Sequence, residues 1–257
     1  KEESTITTEP IEKGLRLYQK DAIEKWLEND LRGIFAMATG TGKTFAACGC
    51  ISKFLKLEKR TVTIIATPYT HLIYQWIDAI KDYNNIVPEE EKINFERELI
   101  CYGENPKWRS EIEDVLEDFD EKLFSGSYII SNFIIFVTHA TLNSPDFKNY
   151  ILQIKDAKKL LIVDEVHEIG AELSQKSLLE EYDYRLGLSA TPIRHYDPDG
   201  TTVLMNYFGH VVYELSLEES IERGILCRYE YNPIYAALTS DEMAVYDTLT
   251  RQIAAKL

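Results

Sequence analysis

No apolar run in this chain is long enough to cross a membrane, and its first residues, Lys1-Glu2-Glu3-Ser4-Thr5, carry no signal-peptide pattern. Cysteine is scarce. Cys48, Cys50, Cys101 and Cys227 show no pair-of-pairs metal spacing, and Cys48 and Cys50, two apart on an expected helix, point to different sides. That pattern fits neither a disulfide framework nor a zinc site, and the expectation is four reduced thiols in a cytoplasmic protein. Low-complexity tracts are missing too, so disorder is expected only in the first dozen residues. Basic residues are few: 28 Lys and Arg against 43 Asp and Glu leave a net charge of −15, which at first sight argues against a nucleic-acid partner. The imbalance is uneven, however. Between Glu89 and Lys122 stand 13 acids and 5 bases, the pattern of a solvated face, so net charge does not decide the partner.

What the chain does have is 257 residues with 45% hydrophobic content, enough to bury a sizeable core in one large domain or two small ones. It also has the segment Met37-Ala38-Thr39-Gly40-Thr41-Gly42-Lys43-Thr44. Apolar Ile34-Phe35-Ala36 precedes it and helix-forming Phe45-Ala46-Ala47-Cys48 follows, the strand–loop–helix setting that a phosphate-binding loop requires. Gly40 and Gly42 let several backbone N–H groups converge on one point, where the positive end of the following helix adds to the field. Lys43 supplies a point charge for β- and γ-phosphates, and Thr44 a hydroxyl for Mg²⁺. The strict pattern has glycine where Met37 stands.

Apolar, β-branched runs recur at Gly33–Met37, Val62–Ala66, Leu99–Cys101, Phe133–Val137, Lys159–Val163 and Arg185–Leu188. Most lack a polar face, so they read as strands of a parallel sheet covered on both sides. Between them lie amphipathic helices. One carries the stripe Leu72, Ile73, Trp76, Ile77 and Ile80; another has Asn105 as N-cap, Pro106 at its first position, and Trp108, Ile112, Val115 and Phe119 on its buried face. The fold expected is a P-loop α/β sheet, doubly wound and mostly parallel, with ligands at the carboxyl ends of the strands.

Those strand ends carry chemistry. Lys159–Val163 runs into Asp164-Glu165-Val166-His167, about 120 residues after the loop. A carboxylate emerging there is where a nucleoside triphosphatase holds Mg²⁺, and Glu165 is placed to polarise the attacking water as general base. The next strand ends in Ser189-Ala190-Thr191-Pro192, whose hydroxyls can bond to a neighbouring strand-end histidine or acid and sense the γ-phosphate.

Together these segments resemble the superfamily 2 helicases and translocases. Gly40–Thr44 is similar to motif I, Asp164–His167 to a DExH motif II and Ser189–Thr191 to motif III. Leu15-Arg16-Leu17-Tyr18-Gln19 resembles the adenine-reading segment, with Gln19 facing the base edge. Ala66-Thr67-Pro68, followed by Leu72 and Gln75-Trp76, resembles motif Ia, and Val137–Leu142 motif Ib. The resemblance implies ATP and Mg²⁺ at Thr39 to Thr44 and Asp164, with Lys43, Asp164 and Glu165 catalytic. It also implies that His167, Ser189 and Thr191 couple the motifs, and that Thr67, Pro68, Thr138 and Thr141 contact a nucleic-acid backbone. The segments Pro192-Ile193-Arg194, Asp199-Gly200-Thr201, Tyr207-Phe208-Gly209, Val212-Tyr213, Leu217–Gly224 and Ile225–Tyr231 look like the ResIII branch, which favours DNA over RNA.

The family places ATP between two RecA-like domains, the second bearing an arginine finger and a glutamine-glycine-arginine motif. No such tripeptide is found in this chain. The expected layout is an N-terminal extension over 1–14, a RecA-like domain over 15–231, and over 232–257 a linker helix towards the second domain. That helix has Thr239 and Glu242 spaced as a capping box and the stripe Tyr246, Leu249, Ile253 and Leu257. The stripe either folds back on the core or leads to the second domain. Two other classes compete: a P-loop switch or scaffold acting on a protein partner, and a small-molecule kinase. The kinase needs a lid and an acceptor pocket that the sequence does not offer. Within the motor reading, a restriction-type nuclease complex is one possible setting.

Overall fold

The computed structural model describes residues 14–121, 126–170, 178–192, 197–230 and 232–254. The first dozen residues, Ile193-Arg194, Tyr231 and Leu257, all named above, lie outside them. The chain divides into two compact units, Lys1–Leu226 and Cys227–Leu257.

The first unit alternates helix and strand: α1 (Leu17–Glu28), β1 (Arg32–Met37), α2 (Lys43–Leu57), β2 (Thr61–Thr67), α3 (Thr70–Ile86), β3 (Arg97–Cys101), α4 (Trp108–Asp120) and β4 (Asn132–Thr138). Then come α5 (His139–Leu142), α6 (Pro145–Gln153), β5 (Lys158–Val163), β6 (Tyr184–Ser189), α7 (Pro198–Phe208), β7 (Val211–Leu215) and α8 (Leu217–Glu222). The strands form one sheet in the order β3-β4-β2-β5-β6-β1-β7, and every adjacent pair is parallel. Alternate residues of each strand feed opposite faces. Phe35, Ile65, Phe136, Ile162 and Leu188 pack with α1, α2 and α3, while Ile34, Ile64, Val137, Leu161 and Val163 pack with α4, α6 and α7. Burial on both faces is why the strands read as unbroken apolar runs.

The order of strands places the functional loops. β1, β6, β5, β2 and β4 stand side by side, so the segments after Met37, Ser189, Val163, Thr67 and Thr138 share one carboxyl edge. With neighbouring strands about 4.8 Å apart, the β1 and β4 ends lie about 19 Å from each other along that edge.

Two local expectations are corrected. α4 starts at Trp108 with Lys107 as its N-cap residue, not at Pro106. Asn105 is spent on the preceding turn: its amide donates to Ile100 O (3.2 Å), and its Oδ1 accepts from Lys107 N (3.3 Å). The buried face of that helix is Trp108, Ile112, Val115, Leu116 and Phe119. The second finding is β7, a strand beside β1 that apolar runs did not disclose. It buries only Tyr213 and Leu215 of its five residues, too weak a pattern to stand out. Its register against β1 shifts between Ile34 and Phe35. Gly33 allows this approach, because a Cβ there would fall 2.5 Å from Val212 Cγ2.

In the second unit, α9 spans Ser240–Ala254. Thr239 and Glu242 form a reciprocal capping box: Thr239 N donates to Glu242 Oε2 (2.8 Å) and Glu242 N to Thr239 Oγ1 (3.3 Å). Tyr246, Leu249 and Ile253 on this helix are exposed. Among the described residues, no helix is long and apolar enough to cross a membrane.

Candidate nucleotide site

Met37 closes β1 with its side chain in the core, and the chain then turns through Gly40 (φ 86°) and Gly42 (φ 82°) into α2. Both glycines occupy the left-handed region that side chains disfavour. Three of the loop's carbonyls are hydrogen-bonded within the protein. Thr41 Oγ1 donates to Ala38 O (2.6 Å), Tyr18 Oη to Thr41 O (2.7 Å) and Gln19 Nε2 to Gly42 O (3.1 Å). Ala38 N donates to Leu215 O (2.9 Å), so β7 anchors the root of the loop. Thr41 N is spent on Ala38 O (3.2 Å) and Phe45 N on Gly42 O (3.1 Å), which leaves the N–H groups of Lys43 and Thr44, at the positive end of α2, as the ones suited to a phosphate.

Gln19 is committed at both ends, since its Oε1 accepts from Arg16 N (2.9 Å). It is buried against the loop and braces Gly42. Thr41 is likewise buried and locks the turn through its hydroxyl, whereas Thr39 and Gly40 are exposed and Thr44 half-buried. Tyr18, beside Gln19 in the same segment, is the second brace. Leu226 is another addition, its Cδ2 lying 3.2 Å from where a Cβ on Gly40 would stand.

The acidic strand end meets this loop. Lys43 Nζ lies 4.0 Å from Glu165 Oε1. Glu165 adopts φ 47°, a left-handed conformation for a residue with a side chain. Its Oε2 is 3.4 Å from His167 Nδ1, and that nitrogen is hydrogen-bonded to Ser189 Oγ at 2.9 Å. Ser189 is fully buried and also accepts from Thr191 N (3.0 Å). Lys43, Glu165, His167 and Ser189 thus form a continuous line across the ends of β1, β5 and β6. Thr191 joins it through its backbone, and its side chain is exposed. Asp164 is held from two sides: Oδ1 accepts from Glu165 N (3.0 Å) and Oδ2 from Trp76 Nε1 (2.9 Å).

Further along the edge, Thr67, Thr138 and Thr141 are buried, with their hydroxyls used inside their own turns. Thr67 Oγ1 donates to Tyr69 O (3.1 Å), Thr138 Oγ1 donates to Thr141 Oγ1 (3.0 Å), and Thr138 accepts from Thr141 N as the cap of α5. What these turns offer a ligand is therefore backbone and the half-buried ring of Pro68. The adjoining His139 has a buried Nε2 without a hydrogen-bond partner. Burial pushes its pKa down to about 4, against the pull of the Asp164 and Ala66 backbone and with a small contribution from His167.

Residues 12–194 match the family model of ResIII, described as the res subunit of type III restriction enzymes. The chain belongs to the ResIII family. Among curated relatives, this ResIII chain is 30% identical over 241 residues to the DNA 3'-5' translocase XPB2 of Sulfurisphaera tokodaii. The match covers 93% of the chain but 44% of XPB2, so the chain spans under half of that relative. Solved structures agree on the fold. A nuclease-deletion mutant of the type ISP restriction-modification enzyme LlaGI, in complex with a DNA substrate mimic, superposes with a TM-score of 0.61 at 17% identity, covering 95% of this chain and 23% of LlaGI. The UvsW helicase of bacteriophage T4 gives 0.51 at 20%, covering 76% of this chain and 58% of UvsW. The fold is an α/β, RecA-like domain.

Proposed function

We propose that this chain is the first of two motor domains of an ATP-dependent helicase or translocase acting on nucleic acid, DNA in preference to RNA. The observation that carries the reading is the line Lys43–Glu165–His167–Ser189. It joins a phosphate-binding loop to a strand-end carboxylate and to the turn beyond it. Membership of ResIII and similarity to a DNA translocase support the same assignment.

The donor set fits Mg-ATP. Thr44 and Asp164 are hard oxygen donors of the kind Mg²⁺ prefers, and bound there the ion neutralises phosphate charge. Lys43 holds the β- and γ-phosphates. Glu165 orients a water and accepts its proton as that water attacks the γ-phosphorus, giving ADP and phosphate. The His167–Ser189 bond holds Glu165's neighbour against the next strand end, so the γ-phosphate is felt along the edge. Thr67-Pro68 and Thr138–Thr141, farther along the same edge, track a strand through phosphate contacts without reading bases.

Lys43 stands 4.0 Å from the Glu165 carboxylate, and Asp164 adjoins Glu165 in the chain. One lysine against two acids and a polyphosphate leaves transition-state charge under-neutralised. The missing cation comes from arginines of a second RecA-like domain of the longer protein, towards which residues 232–257 lead. ATP turnover by the full-length protein, measured with duplex DNA, single-stranded DNA and RNA, tests the assignment. Stimulation of at least about tenfold by DNA is the expected result. Indifference to every nucleic acid, with stimulation by a protein partner, would favour the switch reading.

A further inference from the structure

Asp164 directly follows β5 and Trp76 belongs to α3, 88 residues apart in sequence, yet the indole N–H meets Oδ2 at 2.9 Å. Trp76 is 1% exposed, within the core cluster to which α1 and α2 also contribute. An indole nitrogen can only donate, and a buried one needs an acceptor. Here the acceptor is the carboxylate that the preceding reading assigns to Mg²⁺. The other carboxylate oxygen is fixed by Glu165 N at 3.0 Å. One donor on each oxygen sets the tilt of the carboxylate plane and directs the remaining lone pairs.

We propose that Trp76 is a positioning residue for Asp164: its indole N–H orients the Mg²⁺-binding carboxylate and ties it to α3. The inference rests on the reading of Asp164 as a metal ligand. The tie has a mechanical consequence. α3 begins at Thr70, directly after Thr67-Pro68-Tyr69, the turn assigned to strand contact. Trp76 lies six residues into a rigid helix, about 9 Å along its axis. A displacement of that turn by a bound strand therefore moves the donor that sets Asp164. The contact joins the two ends of the coupling without passing through the His167–Ser189 line. Groups that orient a metal ligand commonly matter about 10- to 100-fold for metal affinity.

The test uses the full-length protein with Trp76→Phe, which removes the donor, and Trp76→His, whose Nε2 can occupy the place of the indole nitrogen. The Mg²⁺ concentration for half-maximal ATP turnover is expected to rise about tenfold in Trp76→Phe and to recover partly in Trp76→His. Nucleotide binding without metal should not change. The ratio of DNA-stimulated to basal turnover should fall with the Phe variant. A structural probe is independent of activity: the Trp76 indole ¹H–¹⁵N resonance, identified by its loss in Trp76→His, should shift on Asp164→Ala. An unshifted resonance, an unaltered Mg²⁺ requirement in Trp76→Phe, or a His variant no better than Phe would overturn the proposal. Should the wild type bind no nucleotide at all while the resonance shifts, the ATP reading fails and the Trp76–Asp164 link stands.

Discussion

Glu165 holds φ 47°, where a Cβ costs about 1–2 kcal/mol. Strain at a residue proposed to activate water is the expected trade between stability and chemistry. Glu165→Gly should therefore be more stable than Glu165→Ala by about 1 kcal/mol in urea denaturation, the reverse of the usual order. Equal midpoints would mean that the backbone relaxes. His139 gives a second residue-scale expectation. Its folded pKa, about 4, lies below its usual value, so the unfolded chain takes up the proton first. Stability is then unaffected above about pH 6.5 and falls as the pH drops towards 4. Between about pH 7 and about pH 5 the wild type should lose about 2 kcal/mol more than His139→Asn. Parallel pH curves for the two would show that His139 is not buried neutral.

At the scale of elements, β1 is gripped from both sides, by β6 and by β7, and the grip of β7 depends on Gly33. Gly33→Ala drives a methyl into Val212 and should cost about 1–3 kcal/mol, with much of it restored by Val212→Ala in the double variant. Additive losses would place the damage elsewhere. Six strands were legible as apolar runs, five of them because they are covered on both faces, and each extends its expected span by one or two residues. β7 was not, its Val211 and Val212 being only partly buried and Glu214 interrupting the run. The helix after β3 was read correctly on its buried face and wrongly at its start, because Asn105 serves the turn to Ile100 and not the helix. The loop and the acidic strand end were legible as motifs, since local spacing carries them. The braces Tyr18 and Gln19 on the loop, and Trp76 on Asp164, were not. Those contacts span 23 and 88 residues and exist only once the sheet has ordered its strands.

For the whole molecule, the strand order converts separate motifs into one edge. The segments proposed to hold nucleotide follow β1, β6 and β5, and those proposed to track a strand follow β2 and β4, so the proposed coupling runs between neighbours on one edge. The edge is one wall of a site. Residues 1–257 alone should bind Mg-ATP weakly and turn it over at least about 100-fold more slowly than the full-length protein, for want of an arginine finger. Brisk DNA-stimulated turnover by this chain alone would contradict the two-domain account. The most direct test of the central claim is Glu165→Gln in the full-length protein, with ATP affinity and DNA-stimulated turnover measured side by side. The account predicts turnover reduced at least about 100-fold with ATP affinity within about threefold of wild type. Retained turnover, or affinity lost in equal measure, would show that Glu165 is not the base and that the strand-end line is not the hydrolytic site.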